Sequence, residues 1–109
     1  MMPEGANKGL AIVQQQLKEL DQIFGETMET LNTVAGMERV AKWKAKTVAL
    51  LTEAVGQQAG QDFALVQPGA SFTNDLVEEF TDFIDCFKTP LLALSKTLTQ
   101  AGLRPSGGG

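Results

Sequence analysis

The chain has 109 residues, 43% of them hydrophobic and 20% charged, a balance typical of one globular domain and not of a disordered segment. Its formal net charge is −4, and an acidic surface repels phosphate backbones, so general nucleic-acid binding is disfavoured. One cysteine, Cys86, and no histidine exclude an intrachain disulfide and the clustered Cys and His ligands of a zinc site.

The amino-terminal residues lack the features of a targeting or membrane segment. No positively charged region precedes the first apolar run, and that run extends only from Leu10 to Val13. We therefore expect no membrane association and a cytoplasmic protein, and a lone cysteine fits a reducing compartment.

The first periodic stretch predicts a long amphipathic helix. Its apolar residues recur at steps of three and four, which places them on one side of a helix: Leu10, Val13, Leu17, Leu20, Phe24, Met28, Leu31 and Ala35. Gly25 interrupts this stretch at a cost of about 1 kcal/mol relative to alanine, yet the pattern keeps its phase across it. We expect one helix, straight or bent at Gly25, that ends near Gly36.

A second stretch begins after Gly36 and has a wide apolar face, which is typical of the central helix of a bundle. Gly56 is a suitable residue to end this helix. The apolar face consists of Met37, Val40, Ala41, Trp43, Val48, Leu50, Leu51, Ala54 and Val55.

The section 57–72 has no helical periodicity and is predicted to be the longest loop. Its apolar residues Phe63, Leu65 and Val66 are expected to contact the core, and the Pro-Gly pair at 68–69 marks a turn. Loops of this length in a compact domain often carry function.

The third helix is expected to begin after a cap at Thr73 or Asn74. Apolar residues then recur with helical spacing as far as Gly102. Pro90 lies within this run, and two interpretations are open: one kinked helix, which the unbroken phase favours, or two helices, the second capped by Thr89. The apolar residues are Leu76, Phe80, Phe83, Phe87, Leu91, Leu94 and Leu98.

Together these stretches predict an all-helical fold, an antiparallel three-helix bundle, or four helices if the chain breaks at Pro90 or Gly25. We expect a single domain over residues 1–103 and a flexible linker or tail over 104–109, because Pro, Ser and Gly residues there are typical of linkers. This composition favours an attached C-terminal domain over a complete small protein with a floppy tail.

The sequence lacks the residues that catalysis needs. A cysteine nucleophile requires a nearby base, usually histidine, and Cys86 lies in an acidic stretch that disfavours its thiolate. The glycines at 56, 60 and 69 lack the Lys-Ser/Thr ending and the preceding strand of a phosphate-binding loop. We therefore expect no catalytic residues, no metal and no cofactor, and a protein that is not an enzyme.

Five acidic residues lie near one face of the third helix, and we call them the acidic stripe. They form a solvated face, a contact for a basic protein, or a divalent-cation site. The first is favoured, because di-metal bundles need inward carboxylates and Glu–His pairs, whereas these residues point away from the apolar side. The acidic stripe consists of Asp75, Glu78, Glu79, Asp82 and Asp85.

Arg39, Lys42 and Lys46 follow i, i+3, i+7 spacing on the second helix, and we call them the basic stripe. They are ordinary surface charges, partners of the acidic stripe on the neighbouring helix, partners of the acidic stripe of another chain, or a contact for a nucleotide or a nucleic acid. Exposed ion pairs are each worth about 0–1 kcal/mol, so such pairs would set register more than stability. A contact between chains would be heterologous.

Two aromatic residues are candidates for recognition anchors. Trp43 belongs to a residue type enriched in binding hot spots, and core packing is its alternative role. Phe72, beside the long loop, contacts a partner or packs as a hydrophobic staple onto the third helix.

The segment Glu38-Arg39-Val40-Ala41-Lys42-Trp43-Lys44, followed by Leu50, Leu51, Gly56 and Phe63, resembles the small helical domains at the N-termini of bacterial abortive-infection and TIR-like defence proteins. The resemblance does not include the acidic stripe. It implies an adaptor or assembly module that precedes an effector or sensor domain.

The leading hypothesis from the sequence is a non-catalytic protein-interaction or oligomerisation domain, the N-terminal module of a larger bacterial protein. It would bind a protein partner or a second copy through the charged face of the second helix. One alternative is a small-ligand or nucleotide-binding bundle that uses the long loop and the basic stripe. The other is a stand-alone acidic regulator that binds a basic protein.

Overall fold

The computed structural model describes residues 4–69 and 74–103, and every regular element within these ranges is an α-helix. Three helices are long: α1 (Glu4–Thr30), α2 (Thr33–Ala54) and α4 (Leu76–Leu103). A short helix, α3 (Gln57–Ala64), lies between the last two. The all-helical class is therefore confirmed, but the described ranges contain four helices instead of three. The additional helix is α3, which lies within the predicted loop 57–72. The predicted tail, 104–109, lies outside the described residues.

The turn between α1 and α2 comes earlier than predicted, at Leu31 and Asn32 instead of Gly36. Leu31 has a φ of 58°, in the left-handed region that L-residues rarely adopt. Asn32 then caps α2, because its side-chain oxygen accepts a hydrogen bond of 3.1 Å from the backbone N–H of Ala35. The cap at Asn32 therefore sets the boundary between α1 and α2, and the prediction that the first helix ends near Gly36 is wrong.

Gly36 lies inside α2 and serves close packing. A Cβ atom at this position would lie 2.6 Å from Oγ1 of Thr27 and 2.9 Å from Cζ of Phe80. The missing side chain thus lets α2 approach α1 and α4 at the same point.

Both α1 and α4 run through the residues that were expected to disturb them. α1 is continuous across Gly25, and α4 is a single helix with Pro90 inside it, so a separate helix capped by Thr89 is wrong. The cap of α4 is Asp75 and not Asn74. Its carboxylate accepts hydrogen bonds from the backbone N–H of Val77 at 2.9 Å and of Glu78 at 3.3 Å. The other predicted cap, Thr73, lies outside the described residues.

The long helices α2 and α4 both run antiparallel to α1 and therefore point in the same direction. Gly36 of α2 packs against Phe80 of α4, and seven residues later in each helix Trp43 contacts Phe87. The residue numbers therefore increase in the same direction along both helices. This differs from an antiparallel three-helix bundle, in which α2 and α4 would oppose each other. Residues 57–66 run back along α2, because Gly60 lies against Thr52 and the carbonyl oxygen of Val66 accepts a hydrogen bond from Lys44.

The core receives residues from all four helices. Trp43 is only 4% exposed and makes edge-on contacts with Phe63 of α3 and Phe87 of α4. Of the predicted core contacts from the loop, Phe63 is buried and Val66 is partly buried against the core, whereas Leu65 is 77% exposed. The buried apolar residues are Val13, Leu20, Ile23, Val40, Trp43, Leu51, Phe63, Phe80, Ile84, Phe87 and Leu91.

Within the described ranges, none of the helices combines the length and the apolar character that a membrane crossing requires.

Candidate binding cleft and charged faces

The basic stripe of α2 faces α1. A guanidinium nitrogen of Arg39 lies 2.9 Å from the Glu26 carboxylate, and the Lys46 ammonium lies 3.1 Å from that of Glu19. Lys42 is exposed and makes no ion pair with a residue that the structure describes. Pairing of Arg39 and Lys46 with the acidic stripe is therefore wrong, because α1 and not α4 lies beside this face of α2.

The acidic stripe lies on the outer side of α4. Glu78, Asp82 and Asp85 are exposed, Glu79 is half-buried, and Asp75 is the exposed helix cap. Glu79, Asp82 and Asp85 make no ion pair with a described residue. Among residues 4–69 and 74–103, no three acidic or cysteine side chains come close enough together to hold a metal ion.

The two aromatic candidates differ in outcome. Trp43 is buried, and its indole Nε1 donates a hydrogen bond of 3.0 Å to the carbonyl oxygen of Gln16 on α1. Its position is that of a core residue and not of a surface anchor. Phe72 lies outside the described residues.

A cleft of about 500 Å³ lies between α3 and the C-terminal halves of α2 and α4. This volume is within the usual range for ligand-binding pockets. Asp62 is the one charged side chain among the described residues that line the cleft, and its carboxylate accepts a hydrogen bond of 2.7 Å from the Gln58 amide. The lining consists of Leu51, Val55, Gly56, Gln58, Ala59, Asp62, Phe63, Pro90, Leu91, Ala93, Leu94 and Thr97.

The cleft exists because α3 is held close to α2 and stands away from α4. Gly56 turns the chain with a φ of 149°, a conformation that favours glycine. At Gly60 a Cβ atom would overlap the hydroxyl group of Thr52. Glycine at this position therefore lets α3 pack closer to α2 than a residue with a side chain would. Phe63 extends from α3 towards α4, and the centroid of its ring lies 6.1 Å from that of Phe87. Its side chain lines the cleft on the side of the core.

No individual cleft residue was predicted as a site from the sequence, although the section 57–72, which was proposed to contribute to a ligand site, contains Gln58, Ala59, Asp62 and Phe63 of the lining. Helical periodicity is hard to detect in an element as short as α3, whose buried residues are only Gly60 and Phe63. The available signals were Gly56 as a helix end and Phe63 as a core residue, and both expectations were correct. They did not indicate that a helix lay between them.

Lys44 anchors the segment that follows α3. Its ammonium donates a hydrogen bond of 2.7 Å to the carbonyl oxygen of Val66 and lies 5.3 Å from the centroid of the Phe87 ring. The half-buried Cys86 lies nearby on α4, with its sulfur 2.9 Å from the carbonyl oxygen of Phe83. Burial raises the pKa of this thiol, Lys44 acts in the opposite direction, and the negative charge of Asp85 raises the pKa further.

No protein-family model matches the chain, and no curated protein and no solved structure matches it.

Proposed function

We propose that this chain is a non-catalytic interaction domain that binds a segment of a partner protein in the cleft between α3 and α4. The observation that carries this proposal is the size and character of the cleft, about 500 Å³ with a mainly apolar lining. A leucine-sized side chain that becomes fully buried in such a site contributes about 1.5–3 kcal/mol.

The charge distribution favours the cleft over the charged face of α2 as the binding surface. Arg39 and Lys46 are already paired with carboxylates of α1, so a basic-to-acidic contact between copies would have to break those pairs. A nucleotide is also disfavoured, because the described lining of the cleft carries Asp62 and no basic side chain. Like charges repel, and a phosphate near Asp62 would be destabilised.

We further propose that the domain acts as an adaptor or assembly module within a larger cytoplasmic protein. This part of the proposal is supported by the resemblance of the Glu38–Lys44 segment to N-terminal domains of bacterial abortive-infection and TIR-like defence proteins. Binding through a cleft suits such a role, because it needs no catalytic group.

Selection from a displayed library of helical peptides tests the proposal. Ala93 is an exposed alanine that lines the cleft, so Ala93→Trp places a large ring into it. Ala49→Trp is the matched control, since Ala49 is an exposed alanine of α2 that does not line the cleft. We expect the selected peptides to bind Ala93→Trp at least tenfold more weakly than the wild type, a difference of about 1.4 kcal/mol. Binding to Ala49→Trp should be unchanged.

Two results would contradict the proposal. One is that no peptide is enriched on the wild-type protein. The other is that the selected peptides bind wild type and Ala93→Trp equally well while both tryptophan variants remain folded by circular dichroism.

A small apolar ligand is the second candidate, and the volume of the cleft is the observation that favours it. A thermal-shift screen of uncharged apolar compounds separates the two, since a ligand at 100 times its dissociation constant adds about 2.7 kcal/mol of stability. A shift that Ala93→Trp abolishes and Ala49→Trp preserves would support a ligand; no shift would remove this candidate.

A further inference from the structure

One edge of α4 joins the cleft to the acidic stripe. Residues at steps of three and four lie on one side of a helix, and such a series runs along this edge. The last three members line the cleft, and the first two are carboxylates of the acidic stripe. The series is Glu79, Asp82, Cys86, Pro90, Ala93 and Thr97. The apolar and the acidic parts are therefore halves of one continuous surface.

The distance between these halves follows from helix geometry. Asp82 and Ala93 are both in α4, and a rise of 1.5 Å per residue places them about 17 Å apart, which is about three turns. A partner helix that lies along this edge would have the same spacing between the residues that meet each half.

We propose that the partner segment is an amphipathic helix with an apolar end that enters the cleft and with lysine or arginine residues about three turns away on the same face. This inference rests on the proposed function and specifies the chemistry of the partner. The basic residues meet the carboxylates of Glu79, Asp82 and Asp85, while the apolar residues contact Phe63, Leu91 and Leu94.

The charges around the surface support a basic partner. The three ion pairs in the described residues use carboxylates of α1: those of Glu19, Asp21 and Glu26. The carboxylates of Glu79, Asp82 and Asp85 have no such partner, and Asp62 adds a negative charge in the cleft itself. A bound partner would remove water from these like charges, and their repulsion is then reduced by a cation and increased by an anion.

Lys44 is a cation close enough to the middle of this edge for its charge to act on Cys86, but it does not neutralise the acidic half. Its ammonium is hydrogen-bonded to the Val66 carbonyl and lies over the Phe87 ring. A second copy of the chain is a poor occupant, because each copy carries a net charge of −4. An isologous contact along this edge would place an acidic half against the other acidic half or against the cleft, whose one charged lining residue is Asp62, and neither supplies a cation.

Designed peptides test the inference. Three helical peptides of equal length carry leucines on one face at one end and, about three turns away on that face, two lysines, two glutamines or two glutamates. Each is made in both sequence orders, so that either direction of binding is sampled. We expect affinity, measured by fluorescence anisotropy, to fall about three- to tenfold from Lys to Gln and again from Gln to Glu. Added salt should weaken only the lysine peptide substantially.

Variants of the protein locate the effect. The double substitution Glu79→Gln/Asp82→Asn should weaken the lysine peptide about three- to tenfold and leave the glutamine peptide unaffected. The control is Glu38→Gln/Glu53→Gln, which changes the net charge equally at two exposed positions of α2. It should leave all three affinities unchanged.

The inference and the proposed function fail separately. If the three peptides bind equally and Ala93→Trp still abolishes binding, the basic partner is wrong and the cleft remains the binding site. Equal losses of affinity in the two double variants would also overturn the inference. So would no binding of the lysine peptide at 1 mM in either sequence order, which means a binding free energy weaker than about −4 kcal/mol. The function itself is judged by the library selection.

Discussion

The indole nitrogen of Trp43 donates a hydrogen bond of 3.0 Å to the backbone carbonyl oxygen of Gln16 across the α1–α2 interface. The same indole ring lies edge-on to Phe63 of α3, with 5.7 Å between ring centroids, and to Phe87 of α4, with 6.2 Å. One side chain therefore contacts all three neighbouring helices, and its removal affects the whole core.

Replacement of Trp43 should be among the most destabilising single changes in this protein. Trp43→Leu is expected to lower the free energy of unfolding by about 3 kcal/mol, since it leaves a cavity and removes the aromatic contacts. Trp43→Phe keeps a ring and loses mainly the hydrogen bond, at a cost of about 1 kcal/mol. Urea unfolding followed by circular dichroism measures both. A cost below about 1 kcal/mol for Trp43→Leu would contradict the buried role.

Gln16 is fully buried, and its amide group is only half satisfied. The amide nitrogen donates a hydrogen bond of 2.8 Å to the Thr47 hydroxyl, whereas the amide oxygen has no partner among the described residues. An unpaired buried acceptor costs about 1–3 kcal/mol, which offsets the bond that the nitrogen makes. Thr47 itself donates to the carbonyl oxygen of Trp43 at 2.7 Å.

Gln16→Met should therefore be neutral or stabilise the protein by about 1 kcal/mol, because it removes the unpaired oxygen and keeps the volume. Gln16→Glu should be strongly destabilising at pH 7, since it buries a carboxylate without a cation. Burial raises the pKa of that carboxyl group, so its penalty should diminish as the pH falls. Urea unfolding at pH 4.5 and pH 7 checks both; a large loss for Gln16→Met would show that the amide oxygen contributes to stability.

The parts of the fold that could be predicted are those where local sequence and packing agree. The apolar residues of α1 and α4 keep one phase over many turns, which identified both helices despite Gly25 and Pro90. Gly36 misled the prediction because a glycine can end a helix or allow close packing, and only the positions of Thr27 and Phe80 decide between these roles. The direction of α4 relative to α2 depends on the path of the chain through α3, which no local pattern encodes.

The candidate site was the least predictable feature. Its walls come from α2, α3 and α4, and the gap depends on how closely Gly60 lets α3 approach Thr52. The acidic stripe was visible as a pattern, but its continuity with an apolar cleft requires the position of α3. The pairing of Arg39 and Lys46 with α1 likewise follows from helix packing and not from charge spacing.

Two helical glycines provide a matched test of the packing at Gly36. A Cβ atom at Gly25 would meet nothing within 4 Å, so Gly25→Ala should stabilise the protein by about 0.5–1 kcal/mol through helix propensity. Gly36→Ala has the same propensity gain but collides with Thr27 and Phe80, and a net loss of about 1–2 kcal/mol is expected. Thermal unfolding should therefore shift in opposite directions; a rise for both variants would show that α1 and α4 yield readily around Gly36.

Glu26 should titrate at a lower pH than an ordinary glutamate. A hydrogen bond from the Gln22 amide is the largest cause of its lowered pKa, followed by the hydrogen bond and the charge of Arg39. Because the folded pKa lies below the unfolded one, the contribution to stability is present above the ordinary pKa and is lost as the pH falls through the folded value. Gln22→Ala and Arg39→Gln should each raise the pKa of Glu26, as measured by carbon-13 NMR of its carboxyl group. Lys46→Gln is the control, since Lys46 pairs with Glu19, and a shift there would contradict the local origin of the effect.

Cys86 should react slowly with thiol reagents at neutral pH. Burial is the main cause of its raised pKa, the Asp85 carboxylate adds to it, and Lys44 opposes it. Since the thiolate is the reactive form, a raised pKa leaves less of it at a given pH. Asp85→Asn removes a charge that disfavours the thiolate, so it should shift the pH profile of iodoacetamide labelling to lower pH and accelerate labelling at pH 8. Glu53→Gln, an equal change of charge at an exposed position of α2, should leave the profile unchanged. Equal acceleration in both variants would assign the effect to net charge, and none in either would leave burial as the sole cause.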